Sequence, residues 1–216
     1  MQATIKSGLL TLPKSGKGSA IMLLPAWWGL NDFFRNLSTR LARNGYVVWT
    51  SDYYGDKHAS SVKEAYKYKA KLNQKVIFDN LLITSELLRH SDFVTRDTLS
   101  IIGFSMGARF ALELSEAKPK SISEVIIFYG TSIIDYSKTQ AAYQGHFAEI
   151  DEWFAASGAA KLMKLLQKRE REVEFYTYKG TKHWFFEKNC KDRYKPKEAE
   201  LAWKRTLLFL KSHIQK

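Results

Sequence analysis

The chain has 216 residues, 45% hydrophobic and 26% charged, which is the composition of a globular protein with a full core and excludes a disordered or fibrous one. Its 34 lysines and arginines against 22 acids give a net charge of +12. Those cations are spread along the chain, with glutamates among the denser stretches and no nucleic-acid motif or basic tail, so a solvated basic surface is expected rather than a nucleic-acid groove.

In chain order, Pro13 to Ser19 reads as a loop. Its Gly16-Lys17-Gly18-Ser19 is not a P-loop, which needs a glycine four residues ahead of Gly-Lys-Ser/Thr. Ile21–Leu24 is a buried strand. The apolar stretch from Ala20 to Leu30 holds Pro25 and Gly29, lacks the flanks of a signal peptide and is too short to span a membrane. With Cys190 the single cysteine, unable to form an internal disulfide, a cytoplasmic protein is expected. Asn31 or Asp32 caps a helix through Arg43 that Gly45 ends, and Tyr46–Thr50 is a second strand. One long helix is predicted from about Val62 to Arg89, with Lys63, Lys67 and Lys71 in a stripe on one face. Strands follow at Thr98–Ile102, Val125–Tyr129, Ala141–Phe147 and Val173–Tyr178, with helices after Ala108, at Ala159–Arg169 and at Lys197–Ser212. The alternation predicts one α/β unit over residues 1–216, a mostly parallel sheet covered by helices on both faces. Its reactive loops then lie at the carboxyl ends of the strands.

One such loop carries the strongest motif. Gly103-Phe104-Ser105-Met106-Gly107 stands between an apolar β-rich run and a helical pattern, the context of a nucleophile elbow. A turn this tight throws the serine clear of the backbone, and glycines two residues away on each side let strand and helix pass closely. The helix N-terminus then faces the charge that develops on a substrate.

A serine hydroxyl needs a base beside it. Of the five histidines (His58, His90, His146, His183 and His213), His90 and His213 fall on helices and are expected in solvent, and His146 lies on a strand where a structural role is expected. His183 follows a strand at Gly180-Thr181-Lys182-His183, where chain order places the base. The orienting carboxylate falls between Ser105 and His183. Asp135, Glu149, Asp151 and Glu152 are the candidates, with Asp151, just past a strand, the favoured one.

These segments resemble the three active-site segments of the dienelactone hydrolase family: Gly103–Gly107, Gly145–Asp151 and Gly180–Phe185. Pro25–Asn31 and Gly45–Gly55 resemble two earlier landmarks of that family, in order and with similar spacing. The resemblance implies a compact α/β-hydrolase fold with no lid domain, a Ser105–Asp151–His183 triad, and an oxyanion hole formed by the backbone N–H groups of Met106 and Trp27. The implied activity is cofactor-free and metal-free hydrolysis of a small ester or lactone through an acyl-enzyme. The alternatives are a non-catalytic binding protein on the same fold, or a thioesterase or acyl transferase.

The chain also departs from the family pattern. The namesake enzyme carries cysteine at the position of Ser105, and the glutamate that restrains it aligns with Ala26. The arginines that hold the namesake's substrate carboxylate align near Val62 and at Glu187, which leaves Lys63 the nearest cation. Trp28, Tyr54, Trp153 and Trp184 are expected to line an aromatic substrate pocket. Together these readings predict a preference for neutral, apolar acyl groups.

Overall fold

The computed structural model describes residues 7–214. The ends of the expected unit, residues 1–6 and 215–216, lie outside the described residues. Among the described residues seven strands form one sheet: β1 (Gly8–Thr11), β2 (Gly18–Leu24), β3 (Val47–Ser51), β4 (Val94–Phe104), β5 (Ile122–Phe128), β6 (Ala142–Ile150) and β7 (Val173–Lys182). The order is β1-β3-β2-β4-β5-β6-β7; β1 runs antiparallel to β3 and the other neighbours are parallel. The helices are α1 (Asp32–Ala42), α2 (Val62–Ala70), α3 (Gln74–Arg89), α4 (Met106–Ala117), α5 (Ala156–Lys168) and α6 (Pro196–Ile214). None among the described residues is long and apolar enough to cross a membrane.

The period-two alternation of strand side chains divides the core. Ile21 and Leu23 of β2 join Phe34 and Leu41 of α1 and Ala202 and Trp203 of α6 on one face. Ala20, Met22 and Leu24 join Leu81 of α3, Phe110 and Leu112 of α4 and Leu162 of α5 on the other. Both faces are thereby dry, as a parallel sheet requires. The cap of α1 is Asn31, whose side chain accepts from Phe34 N at 3.2 Å.

Two elements differ from expectation. The antiparallel edge strand β1 is only four residues long, too short for its alternation to stand out, and its register is set by β3, with Leu10 opposite Trp49. The long helix over Val62–Arg89 is two helices, α2 and α3. Asn73 causes the break: its side chain accepts from Val76 N at 3.2 Å and caps α3. The resulting α2 buries only Ala65 fully, while Lys63, Tyr66 and Lys67 remain exposed. The basic stripe is therefore solvated. His213 is also not in solvent: its ring packs on Phe209 at 4.4 Å, its Nδ1 donates to Phe209 O at 2.8 Å, and its Nε2 lies 3.2 Å from Glu172.

The carboxyl ends of β4, β6 and β7 deliver Ser105, Asp151 and His183 to one edge of the sheet. At the β4–α4 junction the backbone approaches are close enough to exclude any side chain. A Cβ on Gly107 would lie 2.1 Å from Leu24 O, and one on Gly103 would lie 2.5 Å from Gly107 O. Gly107→Ala is accordingly expected to destabilise the fold by about 2–3 kcal/mol through overpacking against backbone that has nowhere to move. A melting temperature within 2 °C of the parent would contradict this.

Candidate active site

The site begins with backbone strain. Ser105 has φ 50° and ψ −109°, a left-handed conformation that a residue with a side chain rarely adopts. Its N–H still bonds Phe128 O of β5 at 2.9 Å, so the turn is pinned to the sheet while its side chain stands clear. Met106 is the first residue of α4, and its N–H has no acceptor one turn earlier in the helix. That N–H and the dipole of α4 add positive potential beside the hydroxyl.

His183 comes to Ser105 from β7. A register shift between Ala148 and Ile150 pairs Ile150 with Lys182, so the residues after each, Asp151 and His183, emerge side by side. Gly180, at φ 68°, takes up the shift, and Glu149 Oε2 accepts its N–H at 2.8 Å. Ser105 Oγ lies 3.0 Å from His183 Nε2, and His183 Nδ1 lies 2.8 Å from Asp151 Oδ2. A carboxylate only accepts, so Nδ1 carries the proton and Nε2 is free to take one from the serine. Asp151 is fixed in turn, because its Oδ1 accepts from Trp153 N and Phe154 N, both at 2.9 Å. The His183 side chain is 1% exposed and that of Asp151 6%, which makes this a nearly dry proton path.

The other candidate acids and His146 are occupied elsewhere. Asp135 pairs with Arg169 at 3.0 Å and Ser137 at 2.7 Å, and Glu152 pairs with Arg193 at 2.6 Å. His146 is fully buried on β6, its Nδ1 at 2.8 Å from Tyr178 Oη and its Nε2 near Gln144 and Thr206. Burial, with the nearby Arg205 charge adding to it, pushes its pKa down to about 3. The structural role expected of His146 is the one observed.

A cavity of about 290 Å³ opens over Ser105 and His183. Trp27, Trp153 and Trp184 wall it together with Tyr66, Phe110 and Phe154. Two of the expected lining residues are elsewhere. Trp28 faces a separate groove beside Val62. Tyr54 lies behind the Trp27 loop: its hydroxyl donates to Trp27 O at 2.8 Å, and its ring occupies the space a Cβ on Gly29 would take. Tyr54 therefore buttresses that loop instead of meeting substrate. Glu187 does not reach the cavity either. It is buried, with Oε1 accepting from Tyr129 Oη at 2.6 Å, so it cannot repel a bound anion by contact.

The cations at the cavity are not the one expected. Lys63 is absent from its lining, whereas Lys69 and Arg109 are present. Arg109 is engaged by Glu113 at 2.6 Å and Gln74 at 2.7 Å. Lys69 Nζ sits 5.9 Å from the Trp27 ring centroid, with no carboxylate in ion-pair range among the described residues. Helical spacing gave a signal for this: Lys69 is three residues after Tyr66, on the same face of α2.

A mostly parallel sheet with helices on both faces, a strained serine at a strand–helix elbow and a buried Ser–His–Asp hydrogen-bond chain define a serine hydrolase of the α/β-hydrolase class. The model of the dienelactone hydrolase family matches residues 7–214, and the chain belongs to that family. Among curated relatives it is 26% identical to the "Probable 2-oxo-3-(5-oxofuran-2-ylidene)propanoate lactonase" of Bradyrhizobium sp, over 93% of this chain and 86% of that one. It is 25% identical to "Protein usf" of Aquifex pyrophilus, over 96% of this chain and 93% of that one. Among solved structures it is similar in fold to "m3DLH", with a TM-score of 0.83 at 19% identity over 95% of this chain and 92% of that chain.

The depressed pKa of His146 has a consequence for acid stability. Between its ordinary value of 6.5 and about 3, the unfolded chain binds a proton at this ring that the folded chain does not. Stability therefore falls as pH drops through that window, by up to roughly 5 kcal/mol. His146→Gln should flatten this part of the pH profile of chemical denaturation. An unchanged slope would show that other groups set it.

Proposed function

We propose that the protein hydrolyses small carboxylic esters or lactones with Ser105 as nucleophile, His183 as general base and Asp151 as the group that orients it. The observation that carries this reading is the unbroken chain from Ser105 Oγ through His183 to Asp151, at 3.0 and 2.8 Å. Ser105 Oγ attacks the acyl carbon and passes its proton to His183 Nε2, while Asp151 stabilises the imidazolium at Nδ1. The tetrahedral oxyanion accepts hydrogen bonds from the N–H groups of Met106 and Trp27. His183 then protonates the departing alkoxide, leaving an acyl-enzyme. Water, activated by the same nitrogen, attacks that acyl-enzyme and frees the acid. No cofactor or metal is needed for these steps. A lactone is cleaved by the same sequence, its alcohol staying tethered to the acyl group. The lactonase name of the Bradyrhizobium relative supports including that substrate class. We also propose the cytoplasm as the protein's location, on the support of the lone Cys190.

The aromatic walls favour flat, apolar substrates, and Lys69 at the rim adds an attraction for a negatively charged substituent. This revises the expectation of a purely neutral preference, which rested on the missing arginines near Val62 and at Glu187 and on the aromatic side chains.

Ser105→Ala should lower kcat for p-nitrophenyl acetate at least about a thousandfold and abolish labelling by a fluorophosphonate, with thermal unfolding unchanged. Wild-type turnover in the purified variant would refute the mechanism. His183→Ala should be as damaging, whereas His146→Gln should cost less than about fivefold in kcat. The reverse order would reassign the base.

Lys69→Met should lower kcat/KM for a carboxylate-bearing aryl ester about fivefold, or ~1 kcal/mol, at 0.15 M salt, where long-range attraction is screened. The neutral ester should change less than twofold. Equal effects on the two substrates would remove Lys69 from substrate recognition.

A further inference from the structure

Glu187 is the least explained group near the site. It is fully buried; among the described residues its Oε1 has one partner, the Tyr129 hydroxyl at 2.6 Å, and its Oε2 has none. Burial pushes its pKa up to about 8 against the opposing hydrogen bond from Tyr129. A half-satisfied buried carboxyl costs stability that an apolar side chain of similar size would not. Packing alone therefore does not account for an acid at this position.

Its partner leads back to the catalytic histidine. Tyr129 follows β5 and holds φ 37°, a left-handed conformation that persists only where the surroundings enforce it. Its N–H donates to His146 O at 2.8 Å, which ties its backbone to β6. Its hydroxyl is tied to Glu187, four residues beyond His183, in a turn closed by Glu187 N donating to Trp184 O at 2.9 Å. Between these two anchors, the Tyr129 ring meets the His183 imidazole edge-to-face, with centroids 4.7 Å apart. The other titratable groups around the pair are Cys190, which interacts with both Glu187 and Tyr129, Arg193 beside Cys190, and Asp151 across from Tyr129.

We infer that the Tyr129–Glu187 hydrogen bond is a positioning device for the triad, holding the Tyr129 ring against His183 and so keeping Nε2 aimed at Ser105 Oγ. The inference rests on the hydrolase reading above. The hydrogen bonds to Asp151 and Ser105 fix the two nitrogens, and the Tyr129 ring limits how far the imidazole tilts between them. Only the accepting oxygen matters for this role, so the charge of Glu187 is dispensable and its ability to accept from the hydroxyl is not.

The test compares Tyr129→Phe, Glu187→Leu and Glu187→Gln on p-nitrophenyl acetate, with each rate divided by the sites that a fluorophosphonate titrates at Ser105. Tyr129→Phe and Glu187→Leu are expected to lower kcat per titrated site about tenfold, with KM within twofold of wild type. Glu187→Gln, whose amide oxygen still accepts from Tyr129, is expected to keep at least a third of kcat. Wild-type kcat per site in Tyr129→Phe, or a Glu187→Gln loss as large as that of Glu187→Leu, would overturn the inference. If Tyr129→Phe does not fold, the two Glu187 variants decide by the same criterion. Wild-type protein that fails to label at Ser105 would overturn the hydrolase reading and this inference together, whereas normal labelling with an indifferent Tyr129→Phe would overturn this inference alone.

Discussion

The left-handed backbone of Ser105 is the constraint on which the site depends. A non-glycine residue at φ 50° costs on the order of 1–3 kcal/mol, and the neighbouring chain must over-determine it. It does so by crowding. A Cβ on Gly107 would collide with Leu24 O, one on Gly103 with Gly107 O, and one on Gly130 with Ser105 O, at 2.1, 2.5 and 2.6 Å. Strands β2, β4 and β5 and helix α4 thus meet at van der Waals limits around one peptide. From that packing follow the exposed hydroxyl, the helix terminus beside it, and the fixed point to which His183 must be brought.

Environment then separates residues of the same type. His146 and His183 are both buried, yet His146 is surrounded by Tyr178, Gln144 and Thr206 with a cation nearby, and it stays neutral. His183 has a carboxylate at one nitrogen and a hydroxyl at the other. Among the acids, Asp151 accepts from two backbone N–H groups and faces the His183 ring, whereas Glu187 accepts from one hydroxyl in dry surroundings that disfavour its charge.

Most of the fold and the triad were legible in the chain because each rests on local signals. Strand runs, helical spacing and Gly103–Gly107 are contiguous, and His183 and Asp151 follow from chain order at strand ends. What escaped was set by tertiary contact. Strand β1 is defined by its pairing with β3, and the break before α3 turns on the Asn73 side chain choosing a cap over helix continuation. Trp28 and Tyr54 neighbour the right loop in sequence but face away from the cavity, a matter of side-chain direction that proximity in sequence does not settle. Lys69 and Arg109 enter the cavity from two different helices, so only their meeting in space reveals the polar rim. The alignment of Glu187 with a substrate-binding arginine marked the position as special without indicating that its side chain turns inward.

The split of residues 62–89 gives α2 a separate energetic identity. Of its nine residues only Ala65 is fully buried, and Lys63 and Lys67 repel one another one turn apart on its outer side. Its Tyr66 nevertheless touches Trp27 and Trp153, with ring centroids 4.8 and 6.1 Å apart, and so covers part of the catalytic cavity. A segment with so little apolar anchorage belongs to the low-stability end of a native protein, where backbone amides exchange through local fraying rather than global unfolding.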